Sequence, residues 1–251
     1  MTKGHCVRQL REDEIPMTDG MQRVYRSCVG SLLYIVKHSR PDLCNTVREL
    51  SKVNRLGKLE NFISMLHCCS FLFATKDLGV QMERKTGDWK WNLYGFSDSD
   101  WGNDLDNRKS ITGIAVFVNG NLIHWGSRGQ KTVSLASAHA EYVAVSDLCR
   151  ELLYIKYLMC FLNVNPVLPI VIYCDNAGAI FLSKNQESRL SKHLDIKSHF
   201  IRQHVEDGQI KILFVKSEEN VADGFTKSGS KEDYKRNFRY LRNVCHDNGL
   251  S

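Results

Sequence analysis

The chain lacks several features that mark whole classes of protein. No apolar run among its 251 residues approaches the roughly 18 residues of a membrane span. Residues 1–10 are polar and basic, so we predict no secretory signal. The nine cysteines form no C-x-x-C pair, which favours reduced thiols over a zinc site. These absences predict an intracellular protein, cytoplasmic or nuclear, that does not contact a membrane.

The composition that remains is that of a globular protein. Apolar residues make up 43% of the chain and charged residues 25%, which argues against intrinsic disorder. The net charge of +6 permits a polyanionic partner but does not require one.

Periodicity divides the chain into four segments. Residues 1–22 are polar and predict a flexible N-terminal segment. Residues 23–90 carry apolar residues at helical spacing and predict a small helical module, which ends in a polar connection at 81–90. Residues 91–228 predict a domain of strands and helices, and 229–251 a basic C-terminal tail helix.

The segment 91–228 has the pattern of an α/β fold with a mixed sheet. Residues 91–98 predict a first strand, and Asn119-Gly120 predicts a tight hairpin between the next two strands. A long helix follows from about residue 137, and then the apolar run 169–174 predicts a strand buried on both faces. Three antiparallel strands followed by parallel strands, with helices on the sheet, account for this order.

Four carboxylates occupy the ends of these elements. Asp98 ends the first strand, Glu141 lies in the first turn of the long helix, Asp175 follows the apolar strand, and Asp223 begins a C-terminal helix. Clustered carboxylates repel each other unless a cation lies among them. Oxygen ligands without histidine suit Mg²⁺ or Mn²⁺. We therefore predict a site with two such ions, at which Asp98 bridges both ions and the other three acids complete the ligands.

Neighbouring acidic residues do not share this role. The spacing of Asp100, Asp104 and Asp106 hints at a calcium loop, but Gly102 falls where a ligand is required. We expect Asp104 and Asp106 to shape a turn instead.

The ordered motifs resemble one protein family. The stretch 94–113, the strings Ala-Glu-Tyr-Val-Ala at 140–144 and Cys-Asp-Asn at 174–176, and 220–227 resemble the ribonuclease H domain of copia-type LTR retrotransposon Pol polyproteins. Residues 25–34 and 39–42 resemble the end of the reverse transcriptase, its thumb and connection, in the same family. The resemblance covers about 25–227. Each motif by itself is weak, but their order is specific.

The resemblance implies a ribonuclease H-like fold and a metal-dependent endonuclease that cuts the RNA strand of RNA/DNA hybrids. It assigns the metal and catalytic roles to Asp98, Glu141, Asp175 and Asp223. The chain contains no Asp-Asp pair, so the polymerase palm of the family is missing and the polymerase part of the same polyprotein becomes an expected partner.

Four further residues are candidates for substrate contact: Asn176, Arg128, Lys131 and His193. The alternative for Arg128 and Lys131 is a solvated loop, and for His193 a structural histidine. The alternative for the whole chain is a non-catalytic nucleic-acid-binding remnant of a Pol protein. His139, which stands where the family usually has an acidic residue, favours that alternative mildly.

Overall fold

The computed structural model describes residues 7–84, 90–184 and 192–243, with the side chains of 181–184, 192–195 and 243 left out. The chain divides into two compact units. Unit 1 contains Met1–Gln81, Asp104–Arg108 and Lys227–Ser251, and unit 2 contains Met82–Asn103 and Lys109–Thr226. Among the helices of the described segments, none is long and apolar enough to cross a membrane.

Unit 1 is a helical module with a short two-stranded sheet. Its elements are α1 (Asp19–His38), α2 (Cys44–Ser51), α3 (Leu59–Ala74), β1 (Leu78–Val80), α7 (Lys231–Asn237) and β7 (Leu241–Asn243). Thr18 caps α1 by accepting a hydrogen bond from the Met21 amide at 3.3 Å. The three long helices enclose a core in which Tyr25 is fully buried and donates its hydroxyl proton to the Leu50 carbonyl at 2.7 Å.

Within its described residues, up to 243, the C-terminal tail is a helix only in part, and the predicted helix over 244–251 lies outside the described residues. The predicted helix over 229–251 is observed as α7, which ends at Asn237, and the chain then continues as β7. Strand β7 pairs antiparallel with β1, so its backbone groups bond across to another segment rather than along a helix.

Unit 2 is built on a five-stranded mixed sheet. Its strands are β2 (Leu93–Asp100), β3 (Ile111–Val118), β4 (Asn121–Gly129), β5 (Ile170–Cys174) and β6 (Ile210–Phe214). The spatial order is β4-β3-β2-β5-β6, with β2, β3 and β4 antiparallel and β5 and β6 parallel to β2. Asn119 and Gly120 adopt positive φ of 51° and 86°, which confirms the predicted hairpin.

Helices cover one face of this sheet. They are α4 (Ser137–Phe161), α5 (Ala177–Lys184) and α6 (Lys192–Glu206). Leu148 and Leu152 of α4 are fully buried against β2, β3 and β5. Gly95 permits this close approach, because a Cβ there would lie 2.9 Å from the Leu148 side chain.

The prediction that β5 is buried on both faces of the sheet is wrong. Ile170, Ile172 and Cys174 are buried, but Val171 and Tyr173 are half-buried, so β5 is not buried on both faces. On the other face of the sheet the ring of Tyr173 stacks on that of Phe96, with centroids 4.9 Å apart. The apolar run therefore reflects an aromatic patch on one face and the helix-covered core on the other.

Candidate active site

Asp98 lies in the centre of the sheet near the end of β2. The strand continues to Asp100, two residues beyond its predicted end, because β2 stays paired with β3 as far as Ile111. Asp98 faces Gly113 across this ladder and is only 4% exposed. A carboxylate this deeply buried requires hydrogen bonds or an opposite charge.

Glu141 enters the same region from α4. The helix begins at Ser137 after the extended residue Ala136, so Glu141 opens the second turn rather than lying in the first. Its Oε1 accepts a hydrogen bond from the Ser99 amide at 3.3 Å. Its Oε2 is buried and has no hydrogen-bond partner among the described residues. A buried carboxylate oxygen normally has a hydrogen-bond donor or a cation as its partner, so this one is a candidate metal ligand.

Asp175 follows β5 directly, as predicted. Its Oδ2 accepts a hydrogen bond from the Ser217 hydroxyl at 2.7 Å. Glu141, Cys174 and Asp175 each offer one ligand atom, and these three atoms lie within 4.8 Å of one another. The C-terminal end of β5 thus brings a thiol, and the carboxylate that follows it, to the N-terminal end of α4.

The pKa of Glu141 reflects its burial and the nearby negative charges. The pKa of Glu141 is raised to about 9, first by burial and then by the negative charges of Asp98 and Asp175. Both causes disfavour the ionised form. A cation bound beside Glu141 would oppose both effects, because it favours the ionised form of the carboxyl group.

Asp223 lies on a short 3₁₀ turn, Val221–Phe225, rather than at the start of an α-helix. This turn packs against β2 and β3. Asn220 ties it down by donating its side-chain amide to the Ser97 carbonyl at 3.0 Å. Thr226 follows the turn, and its hydroxyl bonds to the carboxylate of Asp98. The backbone of Asp223 is therefore next to Asp98, although the compact three-residue group found among the described residues does not include its carboxylate.

No protein-family model matches the chain. The chain is 34% identical over 209 residues to the retrovirus-related Pol polyprotein from transposon RE2 of Arabidopsis thaliana, an alignment that covers 82% of this chain and 14% of the relative. It is also 34% identical over 210 residues to the Pol polyprotein from transposon TNT 1-94 of Nicotiana tabacum, covering 81% and 15%. The homologues of this chain are copia-type retrovirus-related Pol polyproteins.

The chain spans about one seventh of the length of these Pol polyproteins. Among solved structures, it matches LC11-RNase H1 in complex with an RNA/DNA hybrid at 14% identity and a TM-score of 0.41, covering 54% of this chain and 94% of that one. The strand order and directions of unit 2 confirm the predicted α/β fold with a mixed sheet, in which three antiparallel strands are followed by parallel strands.

The candidate substrate residues of this Pol homologue lie in different settings. The side-chain oxygen of Asn176 accepts a hydrogen bond from the Ala179 amide at 3.0 Å and caps α5. Arg128 is 52% exposed and pairs with Glu151 at 2.9 Å, and Lys131 is exposed in the loop before α4. The side chain of His193 lies outside the described residues. Asn176 follows Asp175 directly, whereas no contact described here joins Arg128 or Lys131 to the four carboxylates.

Asp104 and Asp100, two of the neighbouring acids, accept hydrogen bonds from residues close to them in the sequence. Asp104 Oδ1 accepts hydrogen bonds from the amides of Asp106 and Asn107 at 3.0 and 3.3 Å, which confirms its role in a turn. Asp100 accepts a hydrogen bond from the Asn103 side-chain amide at 2.5 Å.

Sequence reasoning missed Cys174. The cysteine pattern predicts reduced thiols and gives Cys174 no role at the site, yet this buried thiol is one of the three groups gathered near the N-terminal end of α4. The signal was its position directly before Asp175 at the end of an apolar strand, where its side chain points to the helix-covered core.

Proposed function

We propose that unit 2 is a divalent-metal-dependent endonuclease that hydrolyses the RNA strand of RNA/DNA hybrids. One observation carries the proposal in a Pol homologue with this fold: the buried Oε2 of Glu141 has no partner among the described residues and lies close to other acids. Structural carboxylates are normally paired, so an unpaired one at this depth favours a site that binds a cation.

The residues fit Mg²⁺ or Mn²⁺. Asp98, Glu141, Asp175 and Asp223 would hold two such ions, with Asp98 shared between them, and they offer the oxygen donors that hard cations prefer. When bound, the ions would neutralise these carboxylates, lower the pKa of an attacking water and stabilise the departing alkoxide. The Cys174 thiol is a softer donor, and burial raises its pKa to about 12, so it is protonated and is not among the proposed ligands.

The chain itself supplies orientation. Ser217 holds Asp175 and the Ser99 amide holds one oxygen of Glu141, so each carboxylate keeps a defined direction before substrate arrives. Preorganised groups of this kind lower the reorganisation that the reaction would otherwise require. Arg128 and Lys131, both exposed, would contact the phosphate backbone without reading sequence. We propose the hybrid as substrate and the polymerase part of the polyprotein as the partner that presents it.

Cleavage by an Asp98→Asn variant tests the assignment. Purified wild-type protein should cut a labelled RNA/DNA hybrid only when Mg²⁺ is present, and should spare duplex DNA and single strands. Asp98→Asn should lower the rate by about 100-fold or more, because it removes the carboxylate proposed to be shared by both ions. Asp207→Asn, at an exposed position after α6, is the matched control and should cut at the wild-type rate.

Three results would contradict the proposal. Undiminished cleavage by Asp98→Asn would show that the Asp98 carboxylate is not required for the reaction. Wild-type cleavage of duplex DNA in preference to the hybrid would indicate another nuclease on the same fold. Salt-sensitive binding of the hybrid with no cleavage at any Mg²⁺ concentration would favour the non-catalytic remnant.

A further inference from the structure

The hydroxyl of Thr226 lies against the carboxylate of Asp98. Thr226 is fully buried, and its Oγ1 donates to Asp98 Oδ2. The same Oγ1 lies 3.0 Å from the carbonyl oxygen of Asp223. A hydroxyl has one proton, and a carboxylate is the stronger acceptor of the two, so the bond to Asp98 dominates.

Two other residues place Thr226 there. Asn220 holds the 3₁₀ turn that precedes Thr226. Its side-chain amide donates a hydrogen bond to the Ser97 carbonyl at 3.0 Å, and its side-chain oxygen accepts one from the Ala222 amide at 3.2 Å. Gly113, directly opposite Asp98 on β3, leaves the necessary space: a Cβ there would lie 2.7 Å from both the Ala222 carbonyl oxygen and the Thr226 side chain. Residues 220–226 and Gly113 therefore both contribute to the contact between the Thr226 hydroxyl and the Asp98 carboxylate.

We propose that Thr226 is the positioning residue for Asp98, and that its hydroxyl fixes the carboxylate in the orientation required to bind a divalent cation. The inference rests on the proposed function, because it concerns the same carboxylate. The terminal torsion of an aspartate has a broad energy profile, so the carboxylate turns easily unless a neighbour restrains it. Groups that orient metal ligands from behind typically change metal affinity or activity by about 10–100-fold when removed.

A purely structural role for Thr226 is the competing explanation. Threonine often bonds a carbonyl one turn back in its own segment, as Thr226 can with Asp223. Removing such a bond lowers stability without changing affinity for a cation. The two explanations therefore differ in metal binding and not in folding.

The experiment compares Thr226→Val, Thr226→Ser and the matched control Thr112→Val. Thr112 is also buried, in β3, and its hydroxyl oxygen accepts a bond from the Gln130 side chain at 3.1 Å. Mg²⁺ affinity is measured by calorimetry on metal-free protein, hybrid cleavage gives kcat and KM, and urea unfolding in EDTA gives stability.

We expect Thr226→Val to weaken Mg²⁺ binding by about 10–100-fold and to lower kcat by a similar factor, with KM within about twofold of wild type. Thr226→Ser keeps the hydroxyl and should restore both values to within about threefold. Thr112→Val should match Thr226→Val in stability loss but bind Mg²⁺ as the wild type does.

Other outcomes overturn the proposal. Wild-type Mg²⁺ affinity in Thr226→Val would show that the hydroxyl does not orient Asp98, and an equal loss in Thr112→Val would make the effect a general result of destabilisation. If the wild type binds Mg²⁺ but does not cut, the proposed function fails while the role of Thr226 in metal binding is still decided by the affinities. Wild-type protein that binds no Mg²⁺ would overturn both.

Discussion

At the residue scale, burial and charge together determine the state of Glu141. The residue is 6% exposed, its Oε2 is unpartnered among the described residues, and its pKa is raised to about 9 by burial and then by Asp98 and Asp175. At neutral pH and without a cation, this residue therefore holds a proton. Any cation that binds at Glu141 must displace that proton.

This pKa predicts how the metal-free protein responds to pH. Between about 4.5 and about 9 the folded chain keeps a proton on Glu141 that the unfolded chain has released. The folded state then binds more protons, so the free energy of unfolding contributed by this residue falls as the pH rises. Glu141→Gln lacks this contribution, so its urea midpoint in EDTA should fall less than that of the wild type from about pH 5 to about pH 8.

The control for this experiment is Glu206→Gln, at an exposed position at the end of α6. It should follow the wild-type dependence on pH. Parallel curves for Glu141→Gln and the wild type would mean that Glu141 is ionised in the folded, metal-free protein.

At the element scale, the close approach of the 3₁₀ turn to β3 depends on a missing side chain. A Cβ at position 113 would lie 2.7 Å from the Ala222 carbonyl oxygen, a backbone atom that has no rotamer by which to move away. Gly113→Ala should therefore lower the free energy of unfolding by about 1–3 kcal/mol, measured by urea titration. A Cβ at Gly129, at the end of β4, meets nothing within 4 Å, so Gly129→Ala should change stability by no more than about 0.5 kcal/mol. Equal costs at the two glycines would contradict the packing described.

Element boundaries also show where local patterns were sufficient. The Asn119-Gly120 turn was predicted correctly because its requirement for positive φ is local to two residues. The extent of β2 was underestimated, because Ser99 and Asp100 have no strand signal of their own and are held in the sheet by Thr112 and Ile111. The run 169–174 does not distinguish a strand buried on both faces from one with an aromatic outer face.

At the scale of the whole molecule, each unit has its own buried charges. In unit 1, Arg40 is 2% exposed and forms a bidentate pair with Asp42 at 2.9 and 2.8 Å, and Tyr234 donates its hydroxyl proton to Asp42 at 2.8 Å. Breaking a buried pair leaves a charge without compensation.

Asp42→Asn tests the stability of unit 1. It should lower that stability by about 3–5 kcal/mol, because it removes the negative partner of a buried guanidinium. Amide hydrogen exchange in α1, α2 and α3 is the direct measurement, since it reports on unit 1 alone. Asp77→Asn, at an exposed position in the same unit, should leave exchange unchanged. Unchanged exchange in Asp42→Asn would show that Arg40 finds another partner.

Binding of the proposed hybrid should be sensitive to salt, since the chain carries a net charge of +6. Binding of the cleavage-deficient Asp98→Asn protein to a hybrid should weaken by about tenfold or more between about 50 and 200 mM salt, because each phosphate neutralised by Lys or Arg releases counterions. Fluorescence anisotropy of a labelled hybrid gives the slope. An affinity that does not change with salt would argue against backbone contacts.

The sequence by itself determined the α/β fold class, the hairpin, the order of the strands in unit 2 and the resemblance to Pol polyproteins, because each of these depends on local periodicity or on motifs in a fixed order. The tertiary structure decided which groups meet. It placed Cys174 beside Glu141, left Glu141 Oε2 without a partner among the described residues, and joined Thr226 to Asp98 across 128 positions of the chain. Contacts between residues this distant in sequence depend on how the sheet and helices pack, and no local pattern specifies that packing.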